Sequence, residues 1–130
     1  MRNLEGKSAI IYSRVSTTEQ KKYGNSLKDQ SIRLRSFCES NNVTIVKEYK
    51  EDFSAKTFER PEYQKLFNFA KENKEKIDYL LVIKWDRFSR DTVGGLNAIK
   101  DLMNISIEVN SIENWRAYND GTQLIPFTVN

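Results

Sequence analysis

The sequence predicts an open, mostly parallel α/β sheet of four to five strands with helices on both faces. Apolar runs at residues 9–12 and 79–83 are too continuous for strands exposed on one side, so both belong inside a sheet. Stretches with apolar residues at helical spacing separate the strand-like runs. That alternation favours parallel strands joined by right-handed crossovers.

The first strand covers residues 8–13, and Arg14-Val15-Ser16-Thr17 reads as the loop after it. Beyond a polar stretch, Ser26-Leu27-Lys28-Asp29 has capping-box spacing, and Leu27, Leu34, Phe37 and Cys38 share one helical face. This predicts a helix over residues 26–40 that ends near Asn41-Asn42. A second strand follows at residues 43–49, and residues 51–60 form a loop long enough to carry function. Pro61 opens a second helix over residues 61–76, with Tyr63, Leu66, Phe67 and Ala70 on its inner face. Residues 79–83 are the most apolar run and the best central strand. A third helix carries Val93, Leu96, Ile99, Leu102 and Met103, with Asn104 as a left-handed cap. Ile105, Ile107 and Val109 alternate with polar residues, as in a strand with one exposed face.

At 130 residues the chain has room for one core and no internal domain boundary. It is 38% hydrophobic and 30% charged, a globular profile, with a net charge of +3 that suits a polyanionic partner without requiring one. The single cysteine excludes an internal disulfide, and no apolar run reaches the length of a membrane span. Residues 1–7 lack the apolar core of a secretory signal, so a cytoplasmic location is expected. There is no histidine, which removes the commonest general base and the commonest zinc ligand.

In parallel α/β sheets the binding crevice lies beyond the carboxyl ends of the strands. Arg14 and Ser16 follow the first strand, Ser54 and Arg60 the second, and Asp86, Arg87 and Arg90 the third. Arginine stays charged and grips phosphate oxygens in pairs, so Arg14, Arg60, Arg87 and Arg90 form a candidate phosphate clamp. If residues 87–90 make a helical turn, Arg87 and Arg90 face one anion together. Ser16 is the candidate nucleophile. Its proton could leave because the cationic surroundings lower the hydroxyl pKa, or go to Asp86 or to the phosphate itself; the sequence does not choose.

Tyr12-Ser13-Arg14-Val15-Ser16-Thr17-Thr18-Glu19-Gln20, Arg60-Pro61 at a helix start, and Lys84-Trp85-Asp86-Arg87-Phe88-Ser89-Arg90-Asp91-Thr92 resemble the catalytic domain of the serine recombinases, the resolvase/invertase and large serine integrase family. The resemblance runs along nearly the whole chain. It implies that Ser16 joins the 5′ end of cut DNA, that the four arginines bind the scissile phosphate, and that Asp86 and Gln30 support the site. Ser54 occupies the place of the family's serine before the second arginine, although Ser54-Ala55 stands where Ser-Gly is usual. No metal or cofactor is implied. The implied partners are DNA and further copies of the chain, as a homodimer and a synaptic homotetramer, with no membrane. Residues 1–130 are then expected to be the catalytic domain, truncated before or within a long dimerisation helix and lacking the DNA-binding module.

Blander readings stand beside these. A serine after a strand is usually a turn residue, and a mixed run such as residues 86–91 usually forms surface ion pairs. Trp85, Phe88 and Cys38 read as packing residues, and Gln30 alone would read as a surface amide. Lys21, Lys22 and Lys56 are solvated or meet a DNA backbone. Two other functions are weighed: a metal-dependent nuclease or phosphatase with Asp52 and Asp86 at adjacent strand ends, and a non-catalytic anion-binding or dimerisation module. The excess of arginine argues against the metal.

Overall fold

The computed structural model describes residues 3–15, 26–52 and 60–117. Four parallel strands, β1 (Ser8–Val15), β2 (Thr44–Asp52), β3 (Tyr79–Val82) and β4 (Glu108–Ser111), form one sheet in the order β2-β1-β3-β4. Helix α1 (Leu27–Ser40) joins β1 to β2. Helix α2 (Pro61–Glu72) and a 3-10 turn (Lys74–Lys76) join β2 to β3. A short helix α3 (Trp85–Phe88) and then α4 (Thr92–Met103) join β3 to β4.

Alternate residues of the central strands feed two cores. Ile10 and Tyr12 of β1 and Leu80 and Val82 of β3 pack with α2 and α4, whereas Ala9, Ile11 and Leu81 pack with Leu34 and Cys38 of α1. Burial on both faces is why these strands read as unbroken apolar runs rather than as alternation. The α1 crossover covers one face and the α2 and α4 crossovers the other, so the strand order reverses between β1 and β3. In such sheets a crevice opens at that point, beyond the carboxyl ends.

Local signals set most boundaries. The Ser26 hydroxyl accepts the Asp29 N–H at 3.0 Å and starts α1. Asn42, at φ 57°, turns the chain out of α1. Where α1 meets the sheet edge, buried Ser31 and exposed Arg35 both hydrogen-bond Glu48 of β2. Burial pushes the Glu48 carboxyl up, but those bonds and the neighbouring positive charges outweigh it and hold the group below its ordinary value. The Cys38 thiol, buried as a packing residue should be, is pushed up to about 11 by desolvation, with Arg35 opposing. No helix among the described residues is long and apolar enough to cross a membrane.

Four expectations change. Strands β1 and β2 run on through Arg14-Val15 and Glu51-Asp52, so Arg14 is a strand residue and not a loop residue. Helix α4 buries Gly95, Ala98, Ile99 and Leu102, which turns Val93 outward at 69% exposure. Asn104 is right-handed helical, and the left-handed residue is Ser106 at φ 65°. Strand β4 has no open face, because Asn110 and Ser111 are buried and Ile112 and Trp115 pack over the α1 side of the sheet.

Leu66→Ala should lower unfolding stability by about 2–5 kcal/mol in urea denaturation, as expected for an emptied core site. Val93→Ala should change it by less than about 0.5 kcal/mol. Equal losses for the two would contradict this assignment of helix faces.

Candidate active site

The buried charged side chains Arg14, Glu51, Arg60 and Arg87 lie toward the carboxyl end of β1. Arg14 points to the same side as Tyr12, two residues earlier, and is only 1% exposed. Its Nε donates to the Arg87 carbonyl at 3.0 Å and its Nη2 to the Asp86 carbonyl at 2.7 Å. Helix α3 has four residues, so its last carbonyls lack helical partners, and a guanidinium there satisfies them while complementing the negative end of the helix. Arg14 is thereby a brace that fixes α3 against β1.

Gln30, on α1, holds the Arg14 main chain. Its Oε1 accepts the Arg14 N–H at 3.3 Å and its Nε2 donates to the Arg14 carbonyl at 3.0 Å. Strand β3 pairs with β1 only at Ala9, Ile10 and Ile11, so the amide supplies ladder-like bonds where that partner strand has ended. Gln30 is buried, and the surface-amide reading of it fails.

Arg60 immediately precedes α2 and is 0% exposed. Its Nη1 donates to the Tyr12 hydroxyl at 3.0 Å, and that hydroxyl donates to Glu51 Oε1 at 3.0 Å. Glu51 Oε1 also accepts the Tyr63 N–H at 2.8 Å, and Oε2 accepts the Glu62 N–H at 3.1 Å. Burial pushes the Tyr12 phenol well above its ordinary range, with Arg60 opposing and Glu51 adding to the rise, so Tyr12 stays neutral and can bridge the two charges.

Arg87 is 7% exposed, with its Nε 3.5 Å from the half-exposed Asp86 carboxylate, a contact worth little in itself. Helix α3 stops at Phe88. Ser89 is extended, and its hydroxyl accepts the Asp91 N–H at 2.9 Å, setting up the start of α4. Residues 87–90 are therefore not one helical turn; Arg87 stays buried while Arg90 lies exposed. Trp85 and Phe88 are packing residues: Phe88 meets the Tyr63 ring edge-on at 6.1 Å, and the Trp85 indole donates to the Asn114 carbonyl at 2.9 Å.

Thus Arg14, Gln30, Asp86, Arg87 and, through Tyr12, Arg60 are linked toward the end of β1, and Arg90 is exposed two residues beyond α3. Ser16, Ser54, Lys21, Lys22 and Lys56 lie outside the described residues. The paired-carboxylate metal reading is corrected by the strand order. β1 separates β2 from β3, so Asp52, the last residue of β2, and Asp86, beyond β3, belong to strands roughly 10 Å apart rather than adjacent ones. Among the described residues no three carboxylate or cysteine groups cluster as metal ligands. Tyr12 and Glu51 were missed in the sequence. Glu51 stands two residues from the buried Tyr49, and that spacing was its only signal.

Residues 9–127 match the family model of the resolvase N-terminal domain. The N-terminal catalytic domain of TP901-1 integrase is similar at 35% identity and TM-score 0.73, over 82% of this chain and 78% of that one. A resolvase family site-specific recombinase from Streptococcus pneumoniae shares the fold at 24% identity and TM-score 0.69, over 82% and 72%. So does the C-terminal catalytic domain of ISC1926 TnpA, an IS607-like serine recombinase, at 23% identity and TM-score 0.69, over 81% and 70%. A search of curated proteins finds no match.

Gln30→Leu should cost about 2–3 kcal/mol, because it leaves a buried N–H and a buried carbonyl of Arg14 without the amide. Guanidinium denaturation measures it. A loss under about 0.5 kcal/mol would mean that the Arg14 main chain does not depend on Gln30.

Proposed function

The chain belongs to the resolvase family, as the N-terminal catalytic domain of a serine recombinase, and on that premise we propose that it cuts and rejoins DNA through a phosphoserine bond at Ser16. The Ser16 Oγ attacks a backbone phosphorus; the Oγ–P bond forms as the bond from phosphorus to the 3′ oxygen breaks. The 5′ phosphate stays on the serine, and the 3′ oxygen takes up a proton and leaves as a hydroxyl. Attack by a 3′ hydroxyl of the recombining strand reverses these steps and frees the serine. Because the bond energy is conserved, the reaction is strand exchange rather than hydrolysis.

Arg14, Arg60, Arg87 and Arg90 balance the charge that gathers on the pentacovalent phosphorus. With no histidine in the chain, positive charge near Ser16 also favours loss of its proton. Asp86, Gln30 and Ser54 support the site, and Lys21, Lys22 and Lys56 meet the DNA backbone. The observation that carries this reading is the gathering of arginines: Arg60 is tied to β1 across 48 residues of chain, and the segment holding Arg87 across 72 and 73. Buried guanidinium groups are screened less by salt than surface ones, so their charge acts more strongly on a nearby phosphate. Exchange between two duplexes calls for several copies, hence a homodimer that pairs into a tetramer, acting in the cytoplasm where DNA is reached.

A duplex selected from random-sequence DNA by the complete gene product supplies the substrate for a test. The protein should form an SDS-resistant adduct on the 5′ phosphate, mapped by mass spectrometry to Ser16, that persists in EDTA. Ser16→Ala should fold and give no adduct. An adduct in that variant, or its disappearance in EDTA, would count against the proposal.

A further inference from the structure

Helix α2 begins without the usual device. Its cap residue is Arg60, whose side chain makes no capping bond, and yet the N–H groups of Glu62 and Tyr63 in the first turn are both satisfied. The acceptor is Glu51, eleven and twelve residues away on β2 and only 1% exposed. One carboxylate oxygen takes Glu62, and the other takes both Tyr63 and the Tyr12 hydroxyl. A buried carboxylate persists only when its lone pairs are used, and a helix N-terminus is a favourable place for its charge.

The same carboxylate fixes the direction of the Tyr12 hydroxyl. A phenol has one proton; with that proton given to Glu51, its oxygen lone pairs face Arg60 Nη1 at 3.0 Å. We propose that Glu51 is a positioning residue for Arg60, acting on it from both sides. It anchors the helix start that carries the Arg60 backbone, and through Tyr12 it orients the guanidinium. Two opposite charges are thus held in the core with a neutral hydroxyl between them, and the hydroxyl fixes the direction of the guanidinium. This rests on the reading of Arg60 as a phosphate ligand only for its effect on anion binding; the mechanical link stands apart from it.

Two readouts test it on the whole chain. Solvent exchange of the Arg60 side-chain Nε–H, followed by NMR, reports how firmly the guanidinium is held. Titration with inorganic phosphate reports anion affinity. Glu51→Gln and Tyr12→Phe should each speed the exchange by ~10-fold, the usual weight of a bond to a charged group. Tyr12→Phe keeps the ring and leaves Glu51 on the helix, so it serves if the Glu51 variant unfolds. Both should weaken phosphate binding several-fold, and neither should weaken it further once Arg60→Ala is present. Unchanged exchange in the folded variants, or an undiminished loss of affinity on top of Arg60→Ala, overturns the proposal. If Arg60→Ala alone leaves phosphate affinity intact, the phosphate role of Arg60 fails, and the exchange rates still decide for or against Glu51.

Discussion

A guanidinium at the end of a buried strand is the constraint on which the site depends. Arg14 sits one residue before the last of β1, out of water, and a charge there is costly unless its donors are used. Two are used on the final carbonyls of α3, groups that would themselves be left over at the end of so short a helix. Each solves the other's problem. The result is that the segment bearing Asp86 and Arg87 is held against β1 by polar bonds, while Phe88 anchors it in the core.

The same economy recurs at Arg60. Its burial is matched by Tyr12 and, one step further, by Glu51, whose carboxylate also serves the helix that starts beside it. The Gln30 amide completes the third side by carrying the main chain of Arg14. Networks of this kind are stable only when every member is satisfied, and they fix geometry more than they add stability. Fixed geometry is what charge stabilisation of a phosphorus centre requires.

The architecture was legible because it rests on local patterns. Double-sided burial gave the continuous runs of β1 and β3, the Ser26 cap gave the start of α1, and Pro61 gave the start of α2. What escaped depended on distant partners. Arg14 reads as a loop residue until carbonyls 72 and 73 positions away are brought to it. Glu51 reads as loop until Tyr12 and α2 claim it. The inner face of α4 includes Gly95 and Ala98, which give little hydrophobic signal, so Val93 was drawn into the pattern instead. Asn110 and Ser111 look solvent-facing because their cover, around Trp115, comes from chain beyond β4.

On the proposed reading, arginines from β1 and from the two connections that flank β3 act on one phosphodiester at the end of β1. The most direct measurement is a crystal structure of the Ser16→Ala protein on the selected duplex, where the phosphodiester stays uncut. The expected result is one phosphate lying against α3 and the start of α2, with guanidinium nitrogens of the set about 3 Å from its oxygens and residue 16 facing its phosphorus. A duplex bound on another face, with no phosphate near Arg14, Arg60, Arg87 or Arg90, would contradict it.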